Sequence, residues 1–472
     1  MTSGPDTIAL RAYTRKPGSK PLAHRKRGAA LDEPSPYVLV FDTETRTDPS
    51  QALRVGFYQV RKAATLKEEG AFYPPYLLDD ELADLRAYCD ARGIRVRTLA
   101  DFNEHVFLKY GYDLSGTITG FNLPFDISRI AIDHGESRGR RNQETGNMAG
   151  LRGGFSFTLG PSRNRPRVQV KHLSRKACLI QFSAFWDQPT PRGMRNRGLK
   201  VDHHKGYFVD VKTLSAALTS RGHSLESLCG ALDVPTRKMA SKAHGGPLTP
   251  DYLDYARGDV QASWECYAAL MAMYGKHGLA VPAHKIISEA SIGKAYLDEM
   301  GVAPLQACQD VPGEMFGRTM STFYGGRAEV RHLRVSVEVR HTDFKSMYPT
   351  VNALMGLWPF VIADGFTSAD TTEATRAFLL GVSREDFQKR ETWRFLTTLV
   401  KIQPDSDLVP VRAKYDDSAK ANNTIGLNYL SYRGGIWYTL ADIVAAKVLT
   451  RKAPHIIEAF TFGAVPDVQL RE

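Results

Sequence analysis

The sequence is poor in cysteine and has no long apolar run. Five cysteines are scattered over 472 residues, and none belongs to a C-x-x-C pair. An odd, dispersed set argues against a disulfide framework and against a zinc site, so we expect reduced thiols in a cytoplasmic protein. No apolar stretch approaches the roughly 20 residues of a membrane-spanning helix, and the N-terminus lacks the apolar core of a secretory signal. The sequence therefore predicts no membrane association.

Acidic residues are too few to balance the basic ones. Lys and Arg number 62 against 51 Asp and Glu, which gives a net charge of +11. This excess favours a polyanionic partner, because neutralising phosphates releases their condensed counterions. Many basic proteins nevertheless bind no nucleic acid, so charge alone does not identify the partner.

Three regions follow one another along the chain. Residues 1–36 are rich in Gly, Pro, Ser and basic residues, which predicts a disordered basic tail that either contacts DNA loosely or is simply solvated. Strand-like and helical patterns alternate over 37–275, which predicts an α/β domain, and a second unit fills 276–472. Strands are predicted at 37–41, 55–61, 116–121, 178–185 and 206–211, and helices at 79–92, 126–133, 224–232 and 250–272.

The stretch 138–176 is rich in arginine. Arg163, Arg165 and Arg167 alternate with other residues, so they would lie on one side of a β-ribbon. Two interpretations stay open, a ribbon that faces phosphates and an exposed basic hairpin.

Two acidic residues follow the first buried strand. Asp42 and Glu44 come directly after the apolar run Tyr37–Phe41. Because side chains two apart along a strand point the same way, both carboxylates should lie on one face. Two such groups can share a divalent cation, although most D-x-E sequences after strands are solvated turn acids.

Two further motifs place acids on other elements. Asn122-Leu123-Pro124-Phe125-Asp126 lies between a strand and a helix, where α/β folds place ligands, although a lone Asp126 would be interpreted as a helix cap. Tyr255 and Asp259 are four residues apart on a helix that Thr249-Pro250-Asp251 begins, so they share one face. Neither motif means much by itself, but their order along the chain does.

The ordered set D-x-E, N-x-x-F-D and Y-x-x-x-D resembles the DEDDy 3′→5′ exonucleases, and specifically the proofreading domains of family-B DNA polymerases. The segments Val209–Leu214 and Ser224–Leu228 are also similar to that family. The resemblance covers about 37–275. It implies an RNase H-like α/β domain, a mixed sheet flanked by helices, followed here by a partial polymerase palm.

The resemblance also implies a chemistry, phosphodiester hydrolysis assisted by two divalent ions. Two Mg²⁺ or Mn²⁺ ions, which prefer oxygen ligands, would be held by Asp42, Glu44, Asp126 and Asp259. Tyr255 would orient the attacking water. Asn122 and Phe125 would shape the pocket around the terminal nucleotide, and the expected substrate is DNA with a single-stranded 3′ end.

The second unit carries two further resemblances. Asp343-Phe344-Lys345-Ser346-Met347-Tyr348-Pro349, at the end of a strand-like run, resembles motif A of family-B polymerases. By that resemblance Asp343 is a metal ligand of the palm and Tyr348 packs under the incoming sugar. Tyr324-Gly325-Gly326-Arg327 is similar to the motif that links the two domains in this family, where paired glycines let the backbone approach phosphates of primer-template DNA.

The sequence departs from that family beyond motif A. It lacks the second palm acid and the fingers motif K-x-x-x-N-S-x-Y-G, so we expect an incomplete polymerase site. Three explanations stay open: a truncated product, one subunit of a split polymerase completed by a second chain, or a free exonuclease or DNA-binding remnant. The short region before Asp42 resembles phage-like or mobile-element polymerases, and a helix capped by Thr439 is predicted near the C-terminus.

Overall fold

The computed structural model divides the chain into two compact units. One comprises Gly28–Glu299, and the other comprises Met300–Glu472 with Met1–Arg27. The structure describes residues 7–12, 33–137, 140–141, 148–149, 151, 153–162, 165–183, 205–238, 245–326, 332, 334–415 and 423–467. Among the helices of these residues, none is both long enough and apolar enough to cross a membrane.

Twelve described strands belong to the first unit. In chain order they are β1 (Tyr37–Thr45), β2 (Leu53–Lys62), β3 (Thr65–Tyr73), β4 (Arg95–Thr98), β5 (Thr117–Gly120), β6 (Asp133–Glu136), β7 (Arg140–Arg141), β8 (Met148–Ala149), β9 (Phe155–Thr158), β10 (Val168–His172), β11 (Cys178–Phe182) and β12 (Tyr207–Asp210). Six of them form one sheet in the order β12-β5-β1-β2-β3-β4. The sheet is mixed, because β1 is antiparallel to β2 but parallel to β5, which is itself parallel to β12.

Helices cover both faces of this sheet. They are α1 (Asp79–Asp90), α2 (Leu99–Phe102), a π-helix (Asn103–Asp113), α3 (Leu123–Ile130), α4 (Val211–Thr219), α5 (Leu225–Leu232), α6 (Pro250–Gly275), a short 3₁₀ turn (Ala283–Lys285) and α7 (Glu289–Glu299). The predicted α/β architecture, a mixed sheet flanked by helices, is confirmed.

The central strand β1 contributes side chains to hydrophobic cores on both sides of the sheet. Leu39 and Phe41 pack into a cluster that includes the π-helix, whereas Val40 packs with α1 and α6, and Val38 with α4, α5 and α6. Each large apolar side chain buried in this way contributes about 1.5–3 kcal/mol. A strand fixed on both faces is a rigid support for whatever its end carries.

Two element boundaries differ from the sequence prediction. β1 continues to Thr45 instead of ending at Phe41, because it pairs with β2 along its whole length. The helix predicted at 126–133 begins at Leu123 and ends at Ile130, since residues from Asp133 onward pair as β6. Asp126 therefore lies in the first turn of α3, one residue after Phe125.

A second, antiparallel sheet of the first unit has the order β11-β10-β9-β6. It contains part of the arginine-rich stretch, and two arginines of that stretch that the structure describes have protein partners. Arg165 is ion-paired with Glu104 and Asp113, and Arg167 donates to the carbonyl of Ser156 at 2.9 Å. Arg163 lies outside the described residues.

The second unit is built on antiparallel strands. They are β13 (Ala363–Asp370), β14 (Thr398–Gln403), β15 (Asp407–Ala413), β16 (Thr424–Leu430), β17 (Ile436–Thr439) and β18 (His455–Pro466), arranged as a sheet β13-β18-β14-β17 and a pair β15-β16. Helices are α8 (Leu305–Cys308), α9 (Gly313–Thr322), α10 (Met347–Met355), α11 (Trp358–Val361), α12 (Thr372–Gly381), α13 (Arg390–Trp393) and α14 (Leu440–Thr450). As the sequence predicts, Thr439 caps the last helix and accepts from the Asp442 N–H at 3.2 Å.

Two other sequence expectations concern this unit. The strand predicted to lead into Asp343 is not found in the described residues 334–346, where Val335, Val337 and Val339 are 52–77% exposed. Of the predicted basic tail, residues 7–12 are described, and the Ala9 N–H donates to the carbonyl of Arg412 at 2.7 Å. The other tail residues, including the basic run 24–27, lie outside the described part of the chain.

Candidate metal centre

The last residues of β1 carry two carboxylates on one face of the sheet. Asp42 and Glu44 continue the alternation of Val38 and Val40, so they point toward the α6 side, whereas Thr43 points the other way. Glu44 is 8% exposed. The expectation that this D-x-E pair shares one face holds in the structure, and the pair lies inside the extended strand.

Helix α6 brings a third carboxylate to the same place. Thr249 begins the helix by accepting from the Tyr252 N–H at 3.4 Å, with Pro250 in the first turn. Asp259 then lies in the buried middle of the helix, 3% exposed. Within the described residues, one group of side chains can hold a metal ion: Asp42, Glu44 and Asp259, whose ligand atoms all lie within 4.8 Å of one another.

The fourth predicted acid, Asp126, is tied to β1 rather than free. Its Oδ1 accepts from the Thr43 hydroxyl at 2.7 Å and from the Thr43 N–H at 3.2 Å. Its Oδ2 is buried and has no hydrogen-bond partner among the described residues. Asp126 therefore holds one oxygen in place and leaves the other available to a ligand.

Another buried carboxylate, that of Asp210, fixes the start of α3. Asp210 Oδ1 accepts from the Leu123 N–H at 2.9 Å, and its Oδ2 accepts from the Thr213 N–H at 2.9 Å and hydroxyl at 2.6 Å. One side chain thus caps α3 and α4 together. The turn before α3 is tight, because Asn122 has a left-handed φ of 69° and a Cβ at Gly120 would lie 2.7 Å from the carbonyl of Phe41.

The positively charged side chain of Lys238 lies among the acids. Lys238 Nζ donates to Asp259 Oδ2 at 2.5 Å and lies 5.2 Å from the centre of the Tyr255 ring. Burial lowers the pKa of Lys238, but the charge of Asp259 and the hydrogen bonds with Asp259 and Tyr255 together raise it above its ordinary value. Asp259 Oδ1 has no hydrogen-bond partner within the described residues, so this carboxylate also keeps one oxygen open.

Two tyrosines of α6 line the same side. Tyr252 donates to Glu44 Oε2 at 3.0 Å, and its ring lies nearly parallel to that of Tyr255 at 6.2 Å. Burial, reinforced by the charges of Asp259 and Glu44, raises the pKa of Tyr255 above its ordinary value. The Tyr255 hydroxyl therefore keeps its proton at neutral pH.

The carboxylates repel one another in a poorly solvated place. Burial raises the pKa of Asp42 well above its usual value, and the negative charges of Asp126, Glu44 and Asp259 raise it further. Burial also raises the pKa of Glu44 to about 7, although the hydrogen bond from Tyr252 opposes this shift. The pKa of Asp126 is likewise raised by burial, against the hydrogen bonds from Thr43. Such a cluster is a strained anionic site that a cation would relieve.

The residues present fit a divalent cation. The cluster offers hard oxygen ligands, which Mg²⁺ and Mn²⁺ prefer. Two buried carboxylate oxygens, one on Asp126 and one on Asp259, lack a partner among the described residues. Buried polar atoms are normally satisfied, so these two oxygens have the chemistry and the free valence to accept a divalent cation.

The acids open onto one pocket of about 610 Å³. All five predicted catalytic residues line it, and so do the predicted nucleotide-contacting residues Asn122 and Phe125. The wall also contains Lys212, Ser224 and Lys238. The structure therefore brings together every site residue that the sequence assigned to the first unit, although their roles stay predictions.

The site residues predicted in the second unit are not gathered in this way. Asp343 is exposed, and within the described residues no candidate metal group includes it. Tyr348 is 74% exposed at the start of α10. The Tyr324 ring stacks on the Tyr438 ring with 6.0 Å between their centroids, and the Arg412 guanidinium donates a hydrogen bond to the Tyr324 carbonyl.

The glycines that follow Tyr324 are exposed, and Gly325 has a left-handed φ of 80°. Arg327, also predicted to contact DNA, lies outside the described residues. The structure therefore gives the second unit no assembled counterpart of the acid pocket within its described part.

Sequence reasoning missed four residues of the centre. Tyr252 could have been found, because it lies three residues before Tyr255 and seven before Asp259 on one helical face. Thr43 lies inside the D-x-E motif itself. Asp210 lies in the segment Val209–Leu214, and its hydrogen bonds with Thr213 are local, but its contact with Leu123 is not. Lys238 carries no local signal, since its role depends on Asp259, 21 residues later.

Comparisons with known proteins give little further guidance. No model of a protein family matches the chain, and no curated protein matches it. Among solved structures, Phi29 DNA polymerase complexed with single-stranded DNA aligns at 10% identity and a TM-score of 0.29, covering 91% of this chain and 61% of that one. This chain thus spans less than two thirds of the length of that polymerase, and a TM-score this low assigns neither family nor function.

Proposed function

We propose that the first unit is a divalent-metal-dependent 3′→5′ exonuclease of the DEDDy type. Its sheet and helices would be those of an RNase H-like domain, related to the proofreading domains of family-B DNA polymerases. The observation that carries the proposal is the convergence of Asp42, Glu44 and Asp259, from a strand and a remote helix, to within 4.8 Å. Asp126, on a third element, lines the same pocket.

The four carboxylates would hold the ions, which supply charge stabilisation during phosphodiester hydrolysis. Asp42 and Glu44 are fixed by a strand buried on both sides, and Asp259 by the centre of α6. Asp126 is held by Thr43, so its open oxygen has a defined position. This preorganisation spares the site a rearrangement when substrate binds.

The other polar groups have complementary tasks. Tyr255, which keeps its proton, can hold a water molecule by hydrogen bonding but cannot act as a base at neutral pH. Lys238 stays charged and can stabilise negative charge that develops on a phosphate. Water attacks phosphorus, the bond to the 3′ oxygen of the preceding sugar breaks, and a nucleoside 5′-monophosphate is released.

The substrate is proposed to be single-stranded DNA at a frayed 3′ end. Asn122 and Phe125 line the acid pocket, where an amide and an aromatic ring can contact a sugar and a base. The basic excess of the chain favours a polyanionic substrate. For the second unit we propose a partial palm without polymerase activity of its own, because the exposed Asp343 belongs to no candidate metal-binding group among the described residues.

The direct test is degradation of a 5′-labelled single-stranded oligonucleotide by the purified chain. With Mg²⁺ or Mn²⁺ we expect a ladder that shortens from the 3′ end, and no products in the presence of a chelator. The double variant Asp42→Ala with Glu44→Ala should abolish degradation. Asp84→Asn, a change at an exposed acid of α1, is the matched control and should degrade normally.

Two outcomes would overturn the proposal. Degradation that persists in the double variant would show that the acid pocket is not the site of hydrolysis. Intact oligonucleotide with every divalent metal, combined with normal binding, would leave a DNA-binding remnant. Primer extension by the isolated chain would separately contradict the incomplete polymerase site.

A further inference from the structure

A second open cleft adjoins the acid pocket in the first unit. It has a volume of about 460 Å³ and lies between α3 and one face of the antiparallel sheet formed by β6, β9 and β10. Asn122 and Phe125 line both the cleft and the acid pocket. The two depressions are therefore continuous along one wall, and a chain that ends in the first can extend into the second.

The sheet presents aromatic rings to this cleft. Phe155 and Phe157 lie two apart on β9, so both point to the same face, and their rings stack at 6.0 Å with an angle of 21°. Phe157 is anchored in the hydrophobic core, whereas Phe155 is 52% exposed. The inner ring holds the outer one in place, and an exposed, supported ring is a ready surface for stacking.

Cationic and polar groups surround the rings. The Arg129 guanidinium lies over the Phe125 ring at 4.8 Å and is held by a hydrogen bond to the Gln51 carbonyl at 2.8 Å. His134, opposite Phe157 on β6, and His172, at the end of β10, also line the cleft. Aromatic faces interleaved with cationic groups are the features that bind single-stranded nucleic acid, through base stacking and phosphate attraction.

We propose that this cleft binds the nucleotides that precede the terminal one in the same single strand, with a base stacked on Phe155. The inference rests on the proposed function, because it takes the 3′ end to lie at the acids. It adds a binding site on the antiparallel sheet, an element that contributes no carboxylate to the candidate metal centre. The occupant is single-stranded DNA, whose stacking bases and phosphates match the rings and Arg129.

The length dependence of binding tests the cleft separately from hydrolysis. Binding of fluorescent thymidylates is measured by anisotropy in the Asp42→Ala, Glu44→Ala background, which is expected not to degrade DNA. A labelled mononucleotide should occupy only the acid pocket, whereas an oligomer of about eight nucleotides should also fill the cleft. Phe155→Ala should weaken binding of the longer oligomer about 5- to 150-fold, the loss expected for one base–aromatic stack, and leave the mononucleotide unchanged.

Two matched variants sharpen the result. Phe155→Trp keeps a stacking surface and should restore the affinity for the longer oligomer. Leu173→Ala removes another exposed apolar side chain next to β10, outside the cleft, and should bind as the parent does. Because Phe155 is half-exposed, its replacement leaves the core intact.

The outcomes separate this proposal from the exonuclease. Equal binding of the longer oligomer by the parent and Phe155→Ala would overturn the cleft even if degradation is normal. Equal weakening on both lengths would also overturn it, because the change would then act at the acid pocket or on folding. A chain that never degrades DNA but shows the length-dependent loss would keep the cleft and refute the nuclease.

Discussion

The two units carry the same kind of signal in sequence and differ in what the fold makes of it. In the first, Asp42, Glu44 and Asp259 come from distant segments and meet in a buried pocket. In the second, Asp343 lies in an exposed segment without a strand. Holding these carboxylates close together in a buried place costs folding free energy, since burial raises the pKa values of Asp42 and Glu44. Convergence against an electrostatic cost, rather than a motif alone, makes the first unit the stronger candidate for a functional centre.

The largest expected effect comes from comparing one acid in each unit. Asp259→Asn should lower the rate of 3′-end degradation by about 10²–10³-fold, as when one preorganised charge-stabilising group is removed. Asp343→Asn should leave the rate unchanged, because Asp343 is exposed and lies outside the acid group. Single-turnover degradation assays measure both. A loss in Asp343→Asn equal to that in Asp259→Asn would erase the distinction between the units.

The next largest effect comes from comparing one tyrosine in each unit, Tyr255 in the first and Tyr348 in the second. Tyr255→Phe keeps the buried ring but removes the hydroxyl that would hold the attacking water, so we expect about a 10²-fold lower rate, the low end for the loss of one preorganised hydrogen-bonding group. Tyr348→Phe, at a side chain that is 74% exposed in the second unit, should degrade DNA at the parent rate. The kcat values of the two variants decide this. An unchanged kcat in Tyr255→Phe would remove the hydroxyl from the reaction.

A smaller effect is expected from Asp210, which acts through α3. In Asp210→Asn one acceptor becomes an amide donor that faces an N–H group, so the start of α3 and the position of Asp126 shift. We expect kcat to fall about 10- to 100-fold, as for residues that orient metal ligands, with KM little changed. Asp407→Asn, at a buried acid of the second unit, should not affect degradation. A parallel rise in KM would instead indicate a general disturbance of the pocket.

The last comparison concerns stability and its dependence on pH instead of rate. Burial raises the pKa of Glu44 from its ordinary value of 4.5 to about 7 in the folded state. Between these pH values the folded state therefore retains a proton that the unfolded chain has lost, and stability falls as pH rises. Burial lowers the pKa of His284 to about 4, which acts in the opposite direction, so the comparison must be with Glu44→Gln. In chelator, the stability of Glu44→Gln relative to the parent should increase by on the order of 3 kcal/mol across this window.

Added Mg²⁺ should make the parent more stable than Glu44→Gln. Metal that binds only the folded parent stabilises it by mass action, so the parent should melt above Glu44→Gln at pH 8 with Mg²⁺ and below it in chelator. Calorimetric melting curves at several pH values measure both effects. A pH-independent difference between the two proteins would contradict the raised pKa of Glu44.

The elements of the site were predictable where local rules govern them. Period-two alternation predicts that Asp42 and Glu44 share a face, and the Thr249 cap with four-residue spacing places Tyr255 with Asp259 on one helical side. The cap of Asp210 on α4 follows local rules, since Thr213 lies three residues later, but its contact with α3 was not predictable, because that contact requires β12 to lie beside β5 with Asp210 opposite Gly120. Alternating valines before Asp343 predicted a strand, but a strand also needs a neighbour, which the described residues do not provide.

The salt bridge between Lys238 and Asp259 has a consequence for how the centre would be filled. The ammonium group already neutralises part of the anionic cluster and so lowers the repulsion among its carboxylates. Any cation that the cluster binds would have to compete with this tethered amine for Asp259, and a doubly charged ion would gain more charge attraction in that competition than a singly charged one. The lysine would thus favour doubly charged ions at this carboxylate.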